Sequence, residues 1–206
     1  MIHFIFPIHC SLCHARIRSK GSLCDSCIDT LPYQPDPLFF KEGILCFAPF
    51  FYEGPIQWML KQLKFGQQLP YTHLLASLML DSIQTHSVQQ PHLLIPVPLH
   101  KKRLQERGFN QSVEIAKYLS RHLHIPLERR RFIRHRATKP QAQCTALERS
   151  NNIQHAFTLK KALTHQGHIA LLDDIITTGH TIMACYRALA IAPVSQIDCW
   201  AIAKTL

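Results

Sequence analysis

Two adjacent carboxylates, Asp173 and Asp174, close an apolar run that begins at Ile169, and Thr177-Thr178-Gly179-His180-Thr181 follows almost at once. Paired carboxylates are acceptors suited to both hydroxyls of a vicinal diol. A Thr-Thr-Gly-His-Thr turn ahead of a helix lines successive backbone N–H groups around one concavity, where the helix N-terminus favours a phosphate. Gly179 lets the backbone come close, and the hydroxyls of Thr177, Thr178 and Thr181 add hydrogen bonds. A diol and a phosphate together describe a ribose 5-phosphate. The expected roles are therefore Asp173 and Asp174 on the ribose, also as the candidate catalytic pair, and Thr177, Thr178, Gly179, His180 and Thr181 around the 5-phosphate. An ordinary strand-to-helix turn with a surface acidic pair is the competing reading, so the motif fixes a fold and a ligand better than an activity.

A second constellation lies near the start of the chain. Cys10, Cys13, Cys24 and Cys27 form two C-x2-C pairs separated by ten residues. Each pair places two thiolates on one side of a tight turn, and together they supply the tetrahedral sulfur set that Zn2+ prefers in closed structural sites. A segment this short buries too little apolar surface to fold alone, so metal binding would supply its folding free energy. A disulfide framework is the alternative, disfavoured by the cytosolic reading below. His9 and His14 flank the first pair as bystanders. Cys46, Cys144, Cys185 and Cys199 read as buried free thiols.

Charge marks a third region. The chain carries 23 Lys and Arg against 13 Asp and Glu, a formal net charge of +10. Between Lys101 and Arg149, thirteen Lys and Arg stand against four Glu, so nearly the whole excess lies in that stretch. Lys101, Lys102, Arg103 and Arg107 are candidates for a pyrophosphate or for DNA phosphates. Arg129, Arg130, Arg131, Arg134 and Arg136 are candidates for DNA. A solvated basic face is the bland alternative. Few aromatic residues interleave with these arginines, which argues for phosphate contact more than for base stacking.

The elements that must position these groups follow from periodicity. Gly43 to Tyr52 reads as a strand, and Gly54-Pro55 opens a helix with a core stripe of Ile56, Met59, Leu60 and Leu63. A second helix runs from about Tyr71 to Ile83, and His92 to Val97 is a buried strand ending in Pro96-Val97-Pro98-Leu99. Asn110 caps a helix bearing Val113, Ile115, Ala116, Leu119 and Leu123. Ala156 to Leu159, His168 to Asp173 and Gln196 to Ile202 are further strands, and Met183, Tyr186 and Leu189 give a last helix. Alternation of strands and helices indicates an α/β fold with a parallel sheet, whose ligands bind at the carboxyl ends of the strands. Three prolines between Leu31 and Pro37 read as a linker, dividing a module over residues 1–35 from a main domain over 36–206.

The segment from Ile169 to Thr181 closely resembles the signature of type I phosphoribosyltransferases. Around it stand the four-cysteine box, Tyr52-Glu53-Gly54, Leu63-Lys64-Phe65, Pro96-Val97-Pro98-Leu99, Arg107-Gly108-Phe109-Asn110-Gln111, Pro140-Gln141, Arg149 with Asn152, and Ala156-Phe157. Their order resembles that of the ComF family, the competence protein F and GntX-like relatives, over nearly the entire chain. His180 departs from the small residue usual there, which bears on phosphate geometry. The resemblance implies a type I phosphoribosyltransferase-like parallel sheet flanked by helices, with a small N-terminal zinc-ribbon-like module. It also implies phosphoribosyl pyrophosphate with Mg2+ as ligand, and a role in natural transformation with single-stranded DNA and competence-machinery proteins at the inner membrane as partners. GntX-like members are linked to sugar-acid use instead. No acceptor pocket can be read from the sequence, so a DNA-handling protein that binds the sugar and an active transferase both stand.

With 206 residues and 47% hydrophobic composition the chain has ample material for a globular core, which excludes a disordered tail. Met1 to Ile8 lacks the basic start of a signal peptide, and no apolar run is long enough for a transmembrane segment. A cytoplasmic protein, peripheral to the inner membrane at most, is the expectation.

Overall fold

A strand with apolar residues on both faces needs cover on each side, and the central strands of this protein are written that way. The computed structural model describes residues 8–17, 22–66, 68–136, 156–163, 165 and 167–206. Thr138, Pro140, Gln141, Cys144, Arg149, Asn151 and Asn152, singled out in the sequence, lie outside them.

The chain begins with a short antiparallel ribbon, β1 (Ile8–His9) and β2 (Arg16–Ile17), followed by a one-turn helix, α1 (Asp25–Asp29). Then come β3 (Leu38–Lys41), β4 (Ile44–Phe47) and β5 (Phe50–Phe51), and two helices, α2 (Gly54–Phe65) and α3 (Pro70–Thr85). β6 (Leu93–Pro96), α4 (Lys101–Arg107) and α5 (Gln111–Leu123) lead to a second ribbon of β7 (Phe132–Arg134) and β8 (Phe157–Leu159). β9 (His168–Ile176), α6 (His180–Leu189) and β10 (Gln196–Lys204) complete the fold.

The sheet runs β3-β4-β10-β9-β6, with β5 also on β10. All neighbours are parallel except the edge pair β3 and β4. Alternation sorts the side chains of the central strands. Ala170, Leu172, Trp200 and Ile202 join Ile56, Met59, Leu60 and Leu63 of α2, with Met79 of α3 and Ile115 and Leu119 of α5. Ile169 and Leu171 turn to the opposite side, against Ala184, Cys185 and Leu189 of α6 and Phe132 and Phe157 of the second ribbon. The expected α/β architecture with a parallel sheet between helices is present.

Three elements go beyond the sequence reading. Lys101 to Arg107 is a helix: the His100 ring accepts from the Lys102 N–H at 3.2 Å, and Gly108, at φ +80°, closes it with its N–H on the Leu104 carbonyl. Periodicity missed α4 because it buries none of its residues. Leu38–Lys41 adds an edge strand, and Phe132–Arg134 is a strand inside the Arg-rich stretch. The proline-bearing segment is strapped down: Gln34 is buried, its side-chain amide donates to the Ala48 carbonyl at 2.6 Å, and the Phe51 N–H donates to the Pro32 carbonyl at 2.8 Å. Cys10, Leu23 and Leu31 belong to the same apolar cluster as α2.

Leu60 is fully buried at the centre of that cluster. Leu60→Ala is expected to lower stability by about 2–5 kcal/mol, read as a fall in the urea midpoint with an unchanged slope.

Candidate functional site

β9 delivers its carboxylates where the apolar strand nears its end, and each finds a different partner. The Asp174 carboxylate pairs with Lys64 Nζ of α2 at 2.7 Å. Asp173 accepts from Ser112 Oγ of α5 at 3.2 Å and from the Asp174 backbone N–H at 2.8 Å. Ser112 is held in turn by Asn110, which caps α5 by accepting the Ser112 N–H at 3.0 Å and ties the helix to β6 by donating to the Val97 carbonyl at 3.0 Å. Burial raises the Asp173 carboxyl to about 7, and the Asp174 charge pushes the same way; the Asp174 N–H, Lys64 and Ser112 act against them.

Beyond β9 the chain turns at Gly179, whose φ of +83° is left-handed backbone, and α6 starts at His180. A Cβ on Gly179 would stand 2.9 Å from Lys41 Cε, because the Lys41 stem lies across the turn while its Nζ donates to the Thr177 carbonyl at 2.8 Å. Thr177, Thr178 and His180 are exposed, and the Thr178 hydroxyl and His180 Nδ1 lie 2.7 Å apart. The structure therefore sets Asp173, Asp174 and residues 177–181 along one strand-turn-helix junction at the carboxyl end of the sheet.

The basic residues divide. Arg107 is half-buried on α4 and donates to the Gln111 side-chain oxygen at 2.8 Å. Burial lowers its pKa, and the opposing pull of Asp174 places the two within electrostatic reach. Lys101, Lys102 and Arg103 are exposed. Arg129, Arg130 and Arg136 are exposed, whereas Arg131 pairs with Glu128 at 3.3 Å. Arg134 sits over the Phe157 ring, 5.4 Å from its centroid, its pKa lowered by burial and by Arg103 and raised by Cys185 and Asp173.

The four N-terminal thiols converge. The sulfurs of Cys10, Cys13, Cys24 and Cys27 all lie within 4.8 Å of one another, with Cys13 and Cys24 at 3.6 Å. Sulfurs bound tetrahedrally at the usual zinc–thiolate length stand about 3.8 Å apart, so the set fits a four-coordinate ion. The cluster contains neither His9 nor His14. Both knuckles are tight turns, the His14 N–H donating to the Cys10 carbonyl and the Cys27 N–H to that of Cys24.

Three contributors escaped the sequence reading as members of the site: Lys41, Lys64 and Ser112. Lys64 carried a weak signal, as a cation on the flank of an amphipathic helix; Lys41 carried none, being 136 residues from its partner.

No protein-family model matches the chain. It is 31% identical over 212 residues to the DNA utilization protein YhgH of Escherichia coli O157:H7, covering 96% of this chain and 90% of that protein. The chain belongs to the YhgH and competence protein F family. Within it, Competence protein F of Haemophilus influenzae is 29% identical, across 97% of this chain and 85% of that protein. Among solved structures, a purine phosphoribosyltransferase from Pyrococcus horikoshii aligns with 65% of this chain and 82% of its own at 8% identity and a TM-score of 0.37. Among the described residues no helix of this family member is long and apolar enough to cross a membrane.

A carboxyl raised from 3.8 to about 7 holds a proton in the folded state that the unfolded chain gives up. Its contribution to stability is fully present below the unfolded value and is lost as pH rises through about 7. Thermal denaturation of Asp173→Asn beside the unaltered protein is therefore expected to show a smaller fall in Tm for the variant between about pH 5 and about pH 8.

Proposed function

We propose that this protein handles single-stranded DNA in natural transformation and keeps a phosphoribosyl pyrophosphate pocket at the carboxyl end of its sheet. The observation that carries the sugar half is the junction itself: a carboxylate pair held by Lys64 and Ser112 lies one turn of chain before a left-handed glycine at a helix N-terminus. Asp173 and Asp174 take the ribose hydroxyls, Thr177 to Thr181 the 5-phosphate, and Arg103 and Arg107 the pyrophosphate. Mg2+ enters with the pyrophosphate, whose oxygens are its preferred ligands. The DNA half is supported by the names borne by relatives, a DNA utilization protein and a competence protein, and by the exposed cations Lys101, Lys102, Arg103, Arg129, Arg130 and Arg136.

Zn2+ is the ion proposed for Cys10, Cys13, Cys24 and Cys27, since a closed all-sulfur set suits it and leaves no open position for catalysis. The location proposed is cytoplasmic, where an incoming strand would be met beside other competence proteins at the inner membrane.

A second reading is an active transferase. An acceptor amine or base attacking carbon 1 as pyrophosphate departs must lose a proton, and a carboxyl that titrates near 7, such as Asp173, is suited to take it.

Calorimetric titration with phosphoribosyl pyrophosphate is expected to show binding that Asp173→Ala/Asp174→Ala weakens by about 100-fold or more, since two hydrogen bonds to charged groups are lost and each is worth roughly 1.5–3 kcal/mol, with the circular dichroism unchanged. Pyrophosphate release with candidate bases separates the two readings: binding without turnover favours the first. Affinity for a single strand should fall with salt, and charge reversal at Lys101, Lys102, Arg129 and Arg130 should flatten that slope by about 0.7 for each phosphate no longer neutralised. An unchanged slope would remove the DNA half.

A further inference from the structure

Between α4, the start of α5 and the ribbon of β7 and β8 lies a cavity of about 660 Å3, touched by neither aspartate nor any residue of the 177–181 turn. That volume is in the range of small-molecule sites. α4 has two faces. Arg103 and Arg107, four residues apart, share one, and Arg107 reaches Gln111 and the field of Asp174. Lys101, Leu104 and Gly108 share the other and line the cavity.

The lining has a consistent chemistry. Pro98, Leu99, Leu104, Phe109, Val113 and Ile133 form an apolar floor. Lys101, Lys117, Arg129, Arg134 and Lys160 stand around it, against a single carboxylate, Glu114, which Lys117 already grips at 2.8 and 3.0 Å. Leu104 is 41% exposed, a large apolar side chain standing among cations. The one carboxamide in the lining, Asn110, is spent on the Val97 carbonyl and the Ser112 N–H. Asn110 is itself buried, so its carboxamide serves to fix the loop.

We infer that this cavity is a subsite for a nucleoside phosphate, whether a free nucleotide or one residue of a single strand. The base lies against Leu104, Phe109 and Ile133, and its phosphates meet Lys101, Arg129 and Lys160. An apolar lining ringed by cations suits an aromatic ring carrying anionic groups. Apolar contact with the face of the ring is common to every base, so the subsite tolerates any base, as single-strand binders do. The inference rests on the strand-binding reading above and gives it a place, distinct from the sugar junction.

The test uses the full-length protein, a fluorescently labelled oligothymidylate and thymidine monophosphate as competitor. Leu104→Ser and Lys160→Glu change exposed side chains, so the fold is kept. Leu104→Ser is expected to weaken strand binding about 5–50-fold through lost contact with the base, and Lys160→Glu to weaken it and flatten its salt slope by about 0.7 through a lost phosphate contact, while calorimetric binding of phosphoribosyl pyrophosphate stays as in the unaltered protein. Displacement of the strand by the monophosphate from the unaltered protein assigns the subsite to free nucleotides as well. Strand binding weakened in both variants without such displacement assigns it to the polymer alone. Strand affinity unchanged in both variants overturns the subsite and leaves the strand reading intact. Absence of strand binding by the unaltered protein overturns both, and a parallel loss of sugar binding in the variants overturns the distinction between the two sites.

Discussion

Two carboxylates on consecutive residues at the end of a buried strand are an electrostatic liability, and much of the surrounding architecture can be understood as its containment. Burial raises the Asp173 carboxyl, and the charge of Asp174 beside it adds to the effect. Lys64 comes from α2 to neutralise one group at 2.7 Å, and Ser112 comes from α5 to hydrogen-bond the other. Both helices must therefore be anchored. α2 is fixed by four fully buried residues, Ile56, Met59, Leu60 and Leu63; α5 is fixed by Ile115 and Leu119 and by the Asn110 cap, which also grips β6. The apolar packing of one face of the sheet thus sets the partners of both carboxylates.

The N-terminal cysteine module is coupled to the same packing. Cys10, Leu23 and Leu31 pack into the cluster that seats α2, and the buried Gln34 carboxamide ties the following segment to the carbonyl of Ala48. A metal ion held by the four converging sulfurs would stiffen the turns that present Cys10. The module's local order and the seat of Lys64 therefore share one core.

Much of this was legible in the order of residues. The apolar run ending in Asp173-Asp174, the glycine ahead of α6, the α2 stripe and the spacing of the four cysteines are local patterns, and local patterns survive in sequence because they are set by period and by backbone sterics. What could not be read there is long-range or lacks a period. Lys41 reaches Thr177 across 136 residues, and its stem fits against Gly179 only because β3 folds back as the antiparallel edge. α4 shows no apolar stripe, so its helicity is visible only through the His100 cap and the left-handed Gly108. The arginines of the 129–136 stretch look alike in sequence, yet Glu128 claims Arg131 while Arg134 covers Phe157.

α4 spans only seven residues, and its cations serve surroundings on two sides. At physiological salt the screening length is about 8 Å, shorter than the roughly 10–12 Å diameter of a helix, so anions settling on its opposite flanks would be largely screened from each other. Any repulsion between them would emerge only at low salt, where thermodynamic reciprocity would require each to weaken the other by the same factor. A short cationic helix of this kind would therefore let each flank fill independently in a salty medium and bring the two into competition in a dilute one.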